Sequence, residues 1–155
     1  MSDRSPETLK NEFLESQHIA VLATVNTSGE PRACTIFFVA ASDGGLLFKS
    51  RSNSEHMVNV ASQSGAALAI YDAGSSYGSK RGMQIVGTVS RITDETKMRD
   101  AVERYSAAFD GARERFASLA ELIADDASST MYRFEIRSWK HTDTDRGLEP
   151  LKYDN

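Results

Sequence analysis

The sequence predicts a mainly β fold, an antiparallel barrel of six strands with flanking helices. Three observations carry this. Six segments are dense in β-branched and aromatic residues, most are joined by tight Gly-, Asp- and Ser-containing turns, and helical periodicity is confined to the N-terminus, one short segment and a late insertion. At 155 residues the chain is long enough to bury one continuous core without disulfides or a structural metal, so residues 1–155 are read as one domain.

Residues 1–17 read as an N-terminal cap helix, because proline suits the first helical position after Ser5 and Leu9, Phe13 and Leu14 fall on one face. HIAVLATVN, residues 18–26, is the first strand; Thr27-Ser28-Gly29 turns the chain, and Glu30-Pro31-Arg32 leads into ACTIFFVAA, completing a hairpin. Asp43-Gly44-Gly45 then returns the chain into LLFKS, a third antiparallel strand. Ser52, with Glu55 three residues on, has the form of a capping box, which predicts a short helix over HMVNVASQSG ending near Gly65. Residues 66–72, AALAIYD, form the fourth strand, residues 73–82 a Gly/Ser-rich loop, and residues 82–93 a fifth strand around Gly87. Spacings of three and four residues predict helices over 94–109 and 113–124, a helical insertion spanning 94–125. The sixth strand, residues 130–142, alternates Met131, Arg133, Glu135 and Arg137 with Tyr132, Phe134 and Ile136. The polar tail, residues 143–155, is expected to be loosely ordered.

Charge narrows the function. Eighteen Lys and Arg against 22 Asp and Glu give a net charge of −4, which argues against a general nucleic-acid or membrane-surface binder. Any anion site must therefore be local. Cys34 is the only cysteine, so no intrachain disulfide or CxxC motif exists, and a reducing, cytoplasmic setting fits. No apolar run approaches the length of a membrane span, and the N-terminal residues lack the apolar core of a signal peptide. His18, His56 and His141 lie far apart without metal-ligand spacing, so no metal site is expected.

Two stretches can carry chemistry. FKSRSNSEHMVNV, residues 48–60, brings the hydroxyls of Ser50, Ser52 and Ser54 and the cations Lys49, Arg51 and His56 to the start of a helix. Free N–H groups and the positive end of the helix dipole there suit a phosphate. On these residues alone a second reading stands beside it: Ser52 caps the helix and Lys49 and Arg51 are solvated. In PRACTIFF, Arg32 either reaches solvent or approaches the same anion, and the main chain of residues 34–36 could meet the polar edge of a flat ligand.

The ordered series LATVNTSGEPRACTIFF, LLFKSRSNSEHMVNV, AALAIYD and GMQIVGTVSRI resembles the pyridoxamine 5'-phosphate oxidase-like flavoproteins, the FMN-binding split-barrel family. The likeness covers about residues 10–93. Ser50 takes the place of a family Thr, Ser54 that of a Ser, His56 that of a Lys, and Asn59-Val60 that of Asn-Leu. The resemblance implies a six-stranded antiparallel split barrel acting as a homodimer with FMN at the subunit interface. It implies that Ser50, Arg51, Ser54 and His56 contact the FMN phosphate, while Arg32, Ala33, Thr35 and Ile36 line the ribityl chain and ring edge. Gln84 sits where the family often supplies a residue reaching flavin across the dimer. Trp139 either does the same or is a core or interface aromatic.

Two departures matter. Glu55 replaces a family cation and His56 a lysine, which makes phosphate binding weaker or pH-dependent. The tail GLEPLKYDN lacks the closing motif with which the pyridoxamine-phosphate oxidases bind substrate, so vitamin B6 oxidation is not assigned. The expected function is an FMN-dependent oxidoreductase acting on a small organic substrate. The alternatives are a flavin-binding module without turnover, or a member of the same fold that uses F420 or heme.

Overall fold

The computed structural model describes residues 4–146 and 148–154. Helix α1 (Pro6–Ser16) precedes strands β1 (Ile19–Val25), β2 (Pro31–Ala40) and β3 (Leu46–Arg51). Helix α2 (Glu55–Ser62) leads into β4 (Gly65–Tyr71) and β5 (Arg81–Arg91), and then come α3 (Glu95–Ala108), α4 (Leu119–Ile123), β6 (Ser129–Asp143) and β7 (Leu148–Asp154). The strands form one antiparallel sheet in the order β3-β2-β1-β4-β5-β6-β7, and an additional β3–β6 pairing closes the first six into the predicted barrel. The tail, expected to be loose, instead adds β7 along the C-terminal half of β6.

The barrel wall is split. β3 pairs with β2 only through Phe38↔Phe48, Val39↔Leu47 and Ala40↔Leu46, and from Leu46 to Arg51 it runs beside β6. β2 and β3 therefore part beyond Phe38, and α2 packs against β1 and β2.

Alternation places two cores on either side of the wall. Inside, Leu22, Phe38, Leu46, Phe48, Ile85 and Phe134 are fully buried, with Phe13 and Leu14 of α1 at one end and Met57 and Val60 of α2 at the other. Outside, Val39, Leu47 and Met131 pack beneath Met98 and Ala101 of α3 and Leu122 of α4. Asp94 caps α3 by accepting from the Lys97 N–H.

Three local expectations change. Ser52 is not a helix cap: its hydroxyl donates to the Ala127 carbonyl at 2.6 Å and its N–H to Ser128, extending the β3–β6 seam, and α2 begins after Ser54. Residues 113–124 do not form one helix. A 3₁₀ turn at Arg113–Arg115 ends, and Ser118 starts α4 with a capping box to Glu121. Across the β5–β6 pair, Val86 faces Ser138 while Gly87 faces Ile136, so Arg137 of β6 is the extra residue of a β-bulge. The bulge reverses the alternation downstream and turns Trp139 into the barrel, where it is 3% exposed. Gly87 permits it, because a Cβ there would lie 2.0 Å from the Glu135 carbonyl oxygen. No helix among the described residues is long and apolar enough to cross a membrane.

Candidate functional site

The split in the wall is where the candidate polar residues meet. On β3, Ser50 shares the barrel-facing side with Leu46 and Phe48, and the turn after Arg51 folds Ser54 and the first turn of α2 back onto it. His56 Nε2 lies 2.8 Å from Ser50 Oγ and 3.1 Å from Ser54 Oγ, and the two hydroxyls are 3.3 Å apart. Ser54 donates its proton to the Arg51 carbonyl at 2.8 Å and makes no side-chain cap, so toward His56 its oxygen only accepts. A protonated Nε2 donates into this pair of oxygens; an unprotonated one takes the Ser50 proton. Burial holds the His56 imidazolium below its ordinary range, with Glu55 pulling weakly the other way.

Arg32 stands at the same opening. Its Nε donates to Glu55 at 2.8 Å and its Nη2 to Glu30 at 3.1 Å, which strengthens its hold on its proton. Glu55 thus tethers a cation from β2 to the start of α2. Arg51 is exposed and has no carboxylate partner among the described residues. The helix is seated by a buried hydrogen bond from Asn59 Nδ2 to Thr24 Oγ1 at 3.1 Å, joining α2 to β1. Neither the Arg32–Glu55 pair nor the Thr24–Asn59 bond is visible in local spacing, since their partners are 23 and 35 residues apart.

The remaining candidates separate. Ala33 and Thr35 point outward on β2, and Gln84 is exposed on β5. Between them the registers Thr35–Val21–Ala69–Gln84 and Ala33–Ala23–Ala67–Val86 build an open face of small side chains, continued by Ser138 and Lys140 of β6. A shallow groove of about 460 Å³ runs along it. Ile36 and Trp139 are turned into the barrel at 6% and 3% exposure, and of the two only Trp139 borders the groove. Lys49 is on the opposite side of β3 from Ser50: its Nζ donates to the Arg115 carbonyl at 2.8 Å and sits 5.0 Å from the centre of the Phe116 ring. The structure does not bring Lys49 into the hydroxyl and histidine cluster. Cys34 packs against the barrel core, and burial raises its thiol pKa, the behaviour of a small hydrophobe.

Comparison with known proteins agrees with this architecture. The chain resembles a heme binding protein from Mycobacterium smegmatis, with a TM-score of 0.79 and 16% identity over 99% of this chain and 60% of that one. A protein related to general stress protein 26, of the pyridoxinephosphate oxidase family, from Clostridium acetobutylicum, matches with a TM-score of 0.66 and 18% identity over 96% of this chain and 93% of that one. An F420 reductase matches with a TM-score of 0.58 and 18% identity over 83% of this chain and 94% of that one. At these identities the likeness is one of fold. No curated protein matches the chain in sequence. The sequence profile of the pyridoxamine 5'-phosphate oxidase family matches residues 8–143, which is most of the chain and takes in the six barrel strands, the split and α2. The chain belongs to the pyridoxamine 5'-phosphate oxidase family.

Proposed function

We propose that the protein binds FMN and acts as a homodimeric oxidoreductase on a small organic substrate. The observation that carries this reading is the convergence of Ser50, Ser54 and His56 at the N-terminus of α2, flanked by Arg51 and Arg32. Those groups fit a phosphate. The N-cap side chain leaves the helix N-terminus uncapped, the first N–H groups of a helix lack intrahelical acceptors, and two hydroxyls and a titratable imidazole face the same point.

In this reading Arg51 and His56 neutralise the phosphate, Ser50 and Ser54 give it hydrogen bonds, and Arg32 borders the ribityl chain. The main chain of β2 near Ile36, on the edge that β3 leaves, meets the polar rim of the ring, while Ala33, Thr35 and Gln84 border it from the open face. Bound FMN would supply the hydride and electron transfer; the chain supplies anchorage, orientation and shielding from water.

The homodimer rests on the outer face. Small side chains on β2, β1 and β4 permit close approach of another sheet, and Ile19, Phe37, Tyr71 and Val86 are large apolar residues exposed by about half or more around them. A second copy would cover them and supply the far wall of the flavin site.

Heme fits the described residues less well, since it needs an axial ligand. His56 is engaged with two serines, His18 meets the Phe38 carbonyl at 3.2 Å and the Phe109 ring edge, and His141 is buried against Phe13. The test is titration of the cofactor-free protein with FMN, followed by flavin fluorescence. Replacing Arg51 and His56 together with alanine should weaken binding at least about 100-fold, as expected for the loss of two charge-assisted contacts. Unchanged affinity in that variant contradicts the phosphate assignment. NADH-driven bleaching of the bound flavin distinguishes an enzyme from a carrier.

A further inference from the structure

Every nitrogen of the Arg32 guanidinium is already engaged. Nε donates to Glu55 at 2.8 Å, Nη2 to Glu30 at 3.1 Å and Nη1 to the Pro31 carbonyl at 3.2 Å, and the two carboxylates offset its charge. Held in this way, Arg32 brings no net attraction for a phosphate to the opening. The two carboxylates are not equally rooted. Glu30 also accepts from Asn26 Nδ2 at 2.8 Å, and Asn26 Oδ1 accepts from the N–H groups of Ser28 and Glu30, which fixes Glu30 within the β1–β2 turn. The Glu55 carboxylate has Arg32 as its one hydrogen-bond partner among the described residues, and Glu55 is the first residue of α2, between Ser54 and His56.

Both side chains of the Arg32–Glu55 pair are well exposed, at 41% and 63%, and an exposed ion pair contributes little to stability. A phosphate monoester, close to doubly charged near neutrality, offers the guanidinium a stronger partner. Glu55 meanwhile sets a like charge beside the hydroxyl and histidine cluster, against that phosphate. We infer that Glu55 is a built-in competitor for the phosphate: it holds Arg32 back, and Arg32 grips the phosphate end of the cofactor only by leaving Glu55. The tether between β2 and α2 and the grip on the cofactor then exclude one another, and a single carboxylate keeps FMN affinity low. The inference rests on the FMN reading above.

FMN and riboflavin, which share the ring and ribityl chain and differ in the phosphate, are the probes. Fluorescence titration of the full chain should show Glu55→Gln binding FMN at least about tenfold more tightly than the wild type, with riboflavin affinity within about twofold. Its Tm should stay within about a degree of wild type, because the pair is exposed. Glu15→Gln, the same change of charge at an exposed position of α1, at the other end of the barrel, should leave both affinities unaltered. In an Arg32→Gln background the gain from Glu55→Gln should shrink to about threefold or less, because no guanidinium remains to be released. The Nε–H resonance of Arg32, identified by its loss in Arg32→Gln, should shift on adding FMN and stay in place on adding riboflavin. Equal gains with and without Arg32, or an Arg32 resonance that FMN does not move, overturn the competition, while a wild-type preference for FMN over riboflavin keeps the phosphate reading intact. Equal affinity for the two flavins in every variant, or binding of neither with or without Glu55, overturns both.

Discussion

His56 has two hydroxyls on one ring nitrogen and a carboxylate for a sequence neighbour, and burial decides its charge. Its pKa in the folded protein lies below 6.5, the value of an unperturbed histidine, so the unfolded chain binds more protons below that pH. The cofactor-free protein should therefore lose stability as pH falls through about 6.5, and His56→Gln should remove that component from the pH dependence of Tm. A phosphate reverses the preference, because it favours the imidazolium. FMN affinity should then weaken as pH rises from about 6 to about 8 relative to His56→Gln, whose profile carries only the titration of the phosphate itself. His56→Lys should hold its affinity at the upper end of that range; a wild-type profile parallel to that of His56→Gln would show that the ring does not meet the phosphate. The residue types of this site are legible in the stretch from Phe48 to Val60, since a cation and hydroxyl cluster beside a helix start is a local pattern. The Arg32–Glu55 pair is not legible there, because it depends on how β2 and α2 meet in space.

At the scale of elements, β1 to β5 follow from alternation and turn chemistry. Gly29 and Gly44 adopt φ of 81° and 92° in the two hairpin turns where sequence places them. β6 was only partly legible. Its alternation reads cleanly from Met131 to Arg137, but the bulge opposite Gly87 is a property of the strand pair, and it alone decides that Trp139 faces the core. Gly87→Ala should thus destabilise the fold by roughly 1–3 kcal/mol or more, because its Cβ meets main chain that cannot swing away. A Tm within about a degree of wild type would contradict that close approach. The Ser52 cap fails for a related reason: the hydroxyl found a better acceptor, the Ala127 carbonyl, 75 residues away. Strand alternation separates the two faces of β3, giving Ser50 to the split and Lys49 to the side under the insertion.

For the whole molecule, the split barrel generates two adjoining surfaces, the polar opening between β2, β3 and α2 and the open face whose small residues lie on β2, β1 and β4. If a second copy covers that face, the protein should sediment at twice the 17.0 kDa of one chain. Ala69→Arg, in the middle of the face, should give a folded monomer with reduced FMN content, and an unaltered dimer would place the interface elsewhere. Family membership and fold were readable from the order of motifs, whereas an open face is recognisable only once strand registers bring Val21, Ala23, Ala67 and Ala69 together. The central claim is that the opening at Ser50, Ser54 and His56 holds the phosphate of FMN. Its most direct test is the visible spectrum and mass of the cofactor bound to the purified protein after incubation with FMN, compared with the Arg51→Ala/His56→Ala variant. We expect stoichiometric FMN on the wild-type chain and loss of it from the variant; a colourless wild-type protein, a heme spectrum, or equal flavin in both proteins would contradict the account.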